Sequence, residues 1–418
     1  MKMIWIWQQI ENGAWLTLER VRAYSLIVLA LGVLGFAGWI AVSDGAIDRN
    51  GKPIGTDFSS FYAAGSLALE DKAANVYDAA AHYARQQQMF GTTTPYYAWY
   101  YPPIFLLVAA PLALLPYPLA LALWQGLSLL FYLGVIAAIL RRSTLPAAIR
   151  RTWWPVALAF PAVFINLGHG QNGFLTAGLF GAALLALTQR PYLAGMLFAL
   201  MAYKPQFALV VPLALLAGGQ WRCIAAAVVT VIALVGITSA LFGIESWTAF
   251  AMTAELPRKL LLEQGEVGFA KLQSAFAAIR IWGGNIALAY LVQGFVSVAV
   301  IGSAVWIWRI SRDINLKAAV LLIATLLASP HVLDYDLMLL GPAIAFMVAV
   351  GLGGGFRSYD ITLLAAAWIA PLLTRSVASA TGIPLGLIVV AALYVMTVRH
   401  ALMNRRGVMT AREQIAAA

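Results

Sequence analysis

An all-α polytopic membrane protein of about twelve transmembrane helices is the architecture expected of these 418 residues, on three grounds. Hydrophobic residues make up 62% of the chain and charged residues only 11%, against about 25% charged in soluble domains. Apolar stretches long enough to span, or shorter where proline and glycine interrupt them, recur about a dozen times. Arginines cluster in the turns between them, so the chain threads with those turns in the cytoplasm. The net charge of +10 is then the positive-inside pattern, and no nucleic-acid partner is expected. A single cysteine, Cys223, excludes an internal disulfide and a cysteine-based metal site.

Trp5, Trp7 and Trp15 with Arg20 and Arg22 suit an interfacial helix on the inner leaflet. Residues 24–43 are too long and too far from the start for a signal-peptide core, and they read as an anchor that exits. Residues 44–102 form a first outer loop with helical patterns over 57–70 and 73–90, the second carrying Tyr77, Tyr83 and Phe90 on an apolar stripe. Pro102, Pro103, Pro111, Pro116 and Pro118 break the next stretch, so 104–115 is expected to be bent or re-entrant and 119–140 to be the return span. Two full crossings there would place Arg141, Arg142, Arg150 and Arg151 outside. Further crossings are expected at 152–166, 173–188, 192–203, 205–216, 224–242, 286–308, 318–329, 337–350, 361–373 and 385–397. A second outer loop occupies 244–285, and the whole of 1–418 is one integral membrane domain without internal repeats.

In this threading the dense polar clusters all face outward. They are Gly55-Thr56-Asp57-Phe58-Ser59-Ser60, Gly168-His169-Gly170-Gln171-Asn172, Tyr203-Lys204-Pro205-Gln206, the 245–280 segment, and Ser329-Pro330-His331-Val332-Leu333-Asp334-Tyr335-Asp336. Their convergence points to a catalytic face.

The order of Thr56-Asp57, Phe61-Tyr62-Ala63-Ala64, Val76-Tyr77-Asp78, Tyr101-Pro102-Pro103-Ile104-Phe105 and Pro111-Leu112-Ala113-Leu114-Leu115-Pro116 resembles glycosyltransferase family 87. Gly170-Gln171-Asn172, Lys204-Pro205-Gln206 and Ser329-Pro330-His331 follow in that family's order, so the resemblance covers roughly residues 55–350. It implies a class C glycosyltransferase-like bundle in a bacterial cytoplasmic membrane, with the active site facing the periplasm or cell exterior. The implied activity is inverting transfer of a sugar, mannose in the best-known members, from a polyprenyl-phosphate donor to a lipid-linked or glycan acceptor. The resemblance further implies that Asp57 is the catalytic base and His331 a second residue of the outward site. One departure is visible: an expected Asn-x-Ser pattern in the late outer loop is Lys271-Leu272-Gln273-Ser274 here.

Chemistry narrows the roles. A phosphate is a good leaving group, so a base on the acceptor hydroxyl and cations on the phosphate suffice, with no cofactor and no divalent metal expected. An aspartate carboxyl is ionised at neutral pH and can accept the acceptor's proton. Taken alone, Thr56 or Asp57 would equally suit a helix cap. His331 suits a sugar hydroxyl or the phosphate, or else a polar bend. Asp334 and Asp336 divide between hydrogen bonding to sugar and capping the next helix, because His-x-x-Asp-x-Asp is a weak metal signature. Lys204, between apolar spans, is a candidate partner for the donor phosphate or a snorkelling residue. Gln171 and Asn172 offer neutral hydrogen bonds at a tight turn, and His169 shares that turn.

Arg258, Lys259, Lys271 and Arg280 make an outward basic patch that suits phosphate or anionic headgroups. Tyr96, Tyr97, Trp99, Tyr100 and Tyr101 suit either sugar stacking or an interfacial belt. His82 and His400 have no polar company suggesting chemistry, and no nucleotide-binding loop is present. The competing class is a lipid or lipid-linked sugar transporter. Such proteins place ionisable groups near the bilayer midplane, whereas the spans here carry no acidic residue in their interiors.

Overall fold

Backbone amides that face lipid must be satisfied within their own segment, and this chain meets that demand with helices. The computed structural model describes residues 2–142 and 147–417, and among them the only extended pairing is three isolated bridges. The helices are α1 (Lys2–Asn12), α2 (Leu18–Ala41), α3 (Thr56–Leu69), α4 (Ala79–Phe90), α5 (Leu106–Ala113), α6 (Tyr117–Arg141) and α7 (Ala147–Leu158). Next come α8 (Pro161–His169), α9 (Gly173–Ala186), α10 (Pro191–Ala199), α11 (Val211–Ala217), α12 (Trp221–Phe242) and α13 (Ile244–Thr253). Last are α14 (Ala275–Ile281), α15 (Ile286–Ile310), α16 (Ile314–Ala328), α17 (Leu340–Gly354), α18 (Asp360–Thr381) and α19 (Leu385–Ala417).

Seven described segments are long and apolar enough to cross a membrane: Leu18–Ala41, Tyr117–Arg141, Trp221–Phe242, Ile286–Ile310, Asp334–Gly354, Asp360–Thr381 and Leu385–Met403. Each coincides with an expected span. The other expected spans are shorter or broken helices, and proline sets the break at two points. Pro161 has no N–H to continue a helix and instead starts α8, dividing 152–166 into α7 and α8. Pro205 separates the 3-10 turns Leu200–Tyr203 and Pro205–Leu209, so 192–216 is two half-helices meeting at Lys204. The segment expected to bend at 104–115 is a 3-10 turn, Pro103–Phe105, followed by α5. It packs closely on α3: a Cβ built on Gly65 would lie 2.1 Å from the Ala109 carbonyl oxygen.

α16 and α9 form the centre, with nearly every side chain of α16 buried. α2, α12 and α15 stand outside them and turn Leu31, Leu34, Val229, Ile232, Leu291 and Phe295 outward, each exposed. An apolar exterior of this extent suits a lipid surround. α1 lies across the start of α18, where Tyr359 N donates to Glu11 O (2.6 Å) and Thr362 Oγ1 to Ile10 O (2.6 Å). The arginines at 150, 151, 405 and 406 used in threading lie outside the described side chains.

The first outer loop is helical, with one correction. The pattern at 73–90 is two pieces, a 3-10 turn Ala73–Tyr77 and α4, because the Asp78 side chain caps α4 by accepting from Ala80 N and Ala81 N. Phe61 docks the loop on the bundle through edge contacts with Trp99, Tyr101, Phe105 and Trp124. His82, fully buried, places Nε2 3.2 Å from Ser60 O, and Gln86 pairs with both backbone groups of Tyr97.

Burial pushes the His82 imidazole down to about 4, against a backbone contact with Ser60 that raises it. The folded loop therefore excludes a proton that the unfolded loop binds. Its stabilisation is complete above pH 6.5 and is lost as pH falls toward 4, by up to about 3 kcal/mol. Protection factors of the amides in the 79–101 segment, taken against intrinsic exchange at each pH, should fall over that window and should not in His82→Gln. Equal protection of the wild type at pH 7.5 and 4.5 would contradict this role.

Candidate active site

Helix ends build the site. α6 begins at Tyr117, whose hydroxyl donates to Ile54 O (2.6 Å), and ends at Arg141; α9 begins beside Asn172 and ends before Arg190. α16 starts beyond Arg312 and ends just before Ser329, while α17 runs from Leu340 toward Arg357. One end of the bundle is thus basic and the other carries the polar clusters. At that second end a cavity of about 1010 Å³ opens, lined by Asp57, His169, Gln171, Lys271, His331 and Arg375 among others.

Asp57 is the second residue of α3. The cap reading fails, because the N-cap is Gly55 in the left-handed conformation and no side chain caps this helix. The carboxylate turns to the cavity instead: Gln171 Nε2 donates to Oδ2 at 3.0 Å and His169 Nδ1 stands 4.0 Å from the same oxygen. Gln171 is held in turn, since its Oε1 accepts from Asn172 N (2.8 Å) and from the Tyr101 hydroxyl (3.3 Å). α6 fixes this turn by donating from Trp124 Nε1 to Gly170 O (3.0 Å) and from Gln125 Nε2 to Gln171 O (3.1 Å). Gly170 ends α8 at φ 64°, and a Cβ there would sit 2.5 Å from the Phe58 Cβ, so glycine is required for the turn to reach α3.

The second wall is stitched across sequence. Leu272 and Leu333 form an antiparallel bridge, with Gln273 N donating to Val332 O at 2.7 Å. This sets Lys271 beside the 329–335 turn, its Nζ 5.9 Å from the Tyr335 ring centre. In the sequence Lys271-Leu272-Gln273-Ser274 the last two residues are structural: Gln273 Oε1 accepts from Thr374 Oγ1 (2.5 Å) and Ser274 caps α14. His331 and Asp57 line the same cavity. Burial lowers the His331 pKa, with Asp336 opposing that shift, so the ring is neutral at pH 7 and offers one donor and one acceptor.

Lys204 differs from the expectation of a free or snorkelling cation. It is buried, and its Nζ donates to Asp336 Oδ1 at 2.6 Å. Asp336 Oδ2 accepts from Leu333 N at 3.0 Å, so the pair closes the 333–336 turn. The charge offered to a phosphate is already neutralised. Asp334 is buried with Oδ1 accepting from Tyr335 N (2.9 Å), and neither Asp334 nor Asp336 lines the cavity. Asn172 is fully buried and likewise off the cavity wall. Arg258 reaches the cavity but pairs with Glu263 (2.5 Å) and Glu255 (3.7 Å). Lys259 does not line the cavity and pairs with Glu255 at 3.0 Å.

The cavity's remaining cations, Lys52, Lys271 and Arg375, make no ion pair with a described carboxylate. Arg375 escaped the sequence reading. Its signal was an arginine just past an apolar stretch on the side where basic residues are unexpected. His169 was discounted as a turn residue, yet it faces Asp57. Asn166, also passed over, joins three elements by donating to Ala162 O and Tyr335 O and accepting from Gly173 N. His400 does have polar company: at the basic end its Nε2 lies 2.7 Å from buried Asp360, which Arg399 also contacts at 2.6 Å. Along the third wall, burial pushes the Tyr97 phenol up to about 12, so it stays a neutral donor. Among the described residues no group of three or more His, Cys, Asp or Glu is arranged to hold a metal ion.

Comparison with known families supplies the class of chemistry. Residues 99–330, more than half of the chain, match glycosyltransferase family 87. The chain belongs to that family. No curated protein and no solved structure matches it. The family match contains Gln171, Lys204 and Lys271 but begins after Asp57 and stops one residue before His331. Both lie instead on the cavity that Gln171 and Lys271 line.

Proposed function

We propose that this glycosyltransferase is a polyprenyl-phosphate-dependent enzyme of the class C type. It transfers mannose with inversion to a lipid-linked or glycan acceptor on the outer side of a bacterial cytoplasmic membrane. The observation that carries this reading is Asp57, a partly exposed carboxylate with Oδ2 held by Gln171 and Oδ1 free of described partners, in a cavity that also holds Lys271 and Arg375, neither in an ion pair with a described carboxylate. A base and cations in one space are what displacement at a sugar phosphate requires.

The acceptor hydroxyl binds Oδ1 and attacks the anomeric carbon as the bond to the phosphate oxygen breaks. The electron pair leaves on the phosphate, whose charge Lys271 and Arg375 meet. Direct displacement of this kind passes through no covalent enzyme intermediate. His331, as a neutral ring, holds a sugar hydroxyl or a phosphate oxygen. Tyr97 and Tyr100 present phenols to the sugar. The basic end of the bundle, with Arg141, Arg142 and Arg190, supports the outward orientation through the positive-inside rule. The cavity lies at the opposite end from those arginines, which suits a donor whose lipid remains in the bilayer.

Purified protein in proteoliposomes, given a radiolabelled synthetic polyprenyl-phosphate mannose and membrane lipid extract, should move label into a glycosylated product. Transfer from nucleotide sugars alone would overturn the donor assignment. Lipid movement across the bilayer without glycosidic bond formation would favour a transporter.

A further inference from the structure

We propose that His169 is the proton outlet of the active site, taking from Asp57 the proton that Asp57 removes from the acceptor and passing it to water in the cavity. This rests on the reading of Asp57 as the base.

The carboxylate has two different faces. Oδ1 is free of described partners and available to the acceptor, while Oδ2 faces Gln171 Nε2 at 3.0 Å and His169 Nδ1 at 4.0 Å. Gln171 can only donate from its Nε2, so it holds the carboxylate without taking a proton from it. The imidazole is the neighbour that can. Four ångströms is longer than a hydrogen bond, but such contacts tighten when substrate fills a site.

Thr56, adjacent to Asp57 in sequence, places Oγ1 2.9 Å from the same Nδ1. A hydroxyl serves either state of that nitrogen: it donates while Nδ1 is bare and accepts once Nδ1 carries a proton. The ring is thus supported before and after the transfer. Its charged surroundings are balanced, with Asp57 from α3 and Asp334 from the 334–339 turn against Lys271 from the second outer loop and Arg375 from α18. Tyr335 packs against it as an uncharged ring at 6.4 Å between centres. Burial lowers the imidazole's pKa and leaves it neutral, able to accept, at pH 7.

The acceptor oxygen bonds to the anomeric carbon, the carbon–phosphate oxygen bond breaks with its pair on the phosphate, and the hydroxyl proton goes to Asp57. The carboxyl rotates to present that proton to Nδ1. The imidazolium then releases its Nε2 proton to cavity water, Asp57 is again a carboxylate, and exchange of the Nδ1 proton for one on Nε2 through water restores the starting tautomer.

His169 acts through Asp57 and is a positioning and relay residue, so the test needs more than loss of rate. Full-length protein in proteoliposomes would be assayed with synthetic polyprenyl-phosphate mannose. His169→Ala is expected to lower kcat by about 10- to 100-fold with KM changed by less than about twofold. Imidazole in the buffer should restore part of that rate. His169→Gln, which preserves a partner for Thr56, should be as slow, should not be rescued, and should lose the imidazole's share of the acidic limb of the kcat–pH profile, leaving the share that belongs to the base. Wild-type kcat in His169→Gln, an effect confined to KM, or no rescue of folded His169→Ala would each overturn the relay. Asp57→Asn separates the two ideas: if it is inactive while His169→Gln is fully active, only the relay fails, and if it remains active the base assignment itself is lost.

Discussion

Replacing Asp57 with asparagine is expected to lower kcat for sugar transfer by about 10³-fold, with KM for the lipid donor near its original value. The variant is chosen for what it leaves alone. Asparagine has the same shape, and its carbonyl oxygen can still accept from Gln171 Nε2, now 3.0 Å from Oδ2. α3 loses no cap, because Gly55 rather than Asp57 stands at its N-cap. What disappears is the capacity to take a proton. Steady-state kinetics with matched thermal unfolding would check it: unchanged unfolding with collapsed kcat is the expected pair of results. Transfer within a few-fold of wild type would remove the proposed base, whatever the fate of the lipid-donor assignment.

Lys204→Ala is expected to cost about 3–5 kcal/mol of stability, because it leaves the Asp336 carboxylate buried without a counter-charge. Both side chains are 3% exposed or less, and they meet at 2.6 Å. Asp336 also accepts from Leu333 N, so disorder would spread along the turn that presents His331 to the cavity. Denaturant titration in detergent would measure the loss. Combining Lys204→Met with Asp336→Leu should recover most of it, since no uncompensated charge remains. Donor KM in that double variant is informative: near wild type, Lys204 serves the fold; raised tenfold or more, its ammonium also serves the phosphate.

How much of the site was legible differs from residue to residue. Gln171 and His331 stood out because polar groups at the ends of apolar spans are costly to keep and conspicuous, Asp57 as part of a dense polar cluster in the first outer loop, and Lys271 as a basic residue on the outward side. Asp57 and His331 were further marked by an ordered family resemblance, although the family match itself stops short of both. Lys204 was conspicuous for the same reason, but its meaning was not. A lone lysine between apolar spans reads as a free cation until its partner, 132 positions away, is known. His169 shows the reverse case. Within its own turn it has only glycines and amides for company, and its chemical neighbour, Asp57, lies 112 positions earlier.

By itself the sequence determined that this chain is a helical membrane protein whose polar clusters gather at one end. Hydropathy, proline position and the charge of turns act locally, through the cost of desolvating a peptide group or an arginine, and local costs can be read along the chain. Only the tertiary structure decided which charges are spent and which remain available. Among the described residues, Lys204, Arg258 and Lys259 found carboxylates; Lys52, Lys271 and Arg375 did not. A charge is neutralised by whatever lies within a few ångströms, and distance in space is set by how the helices pack.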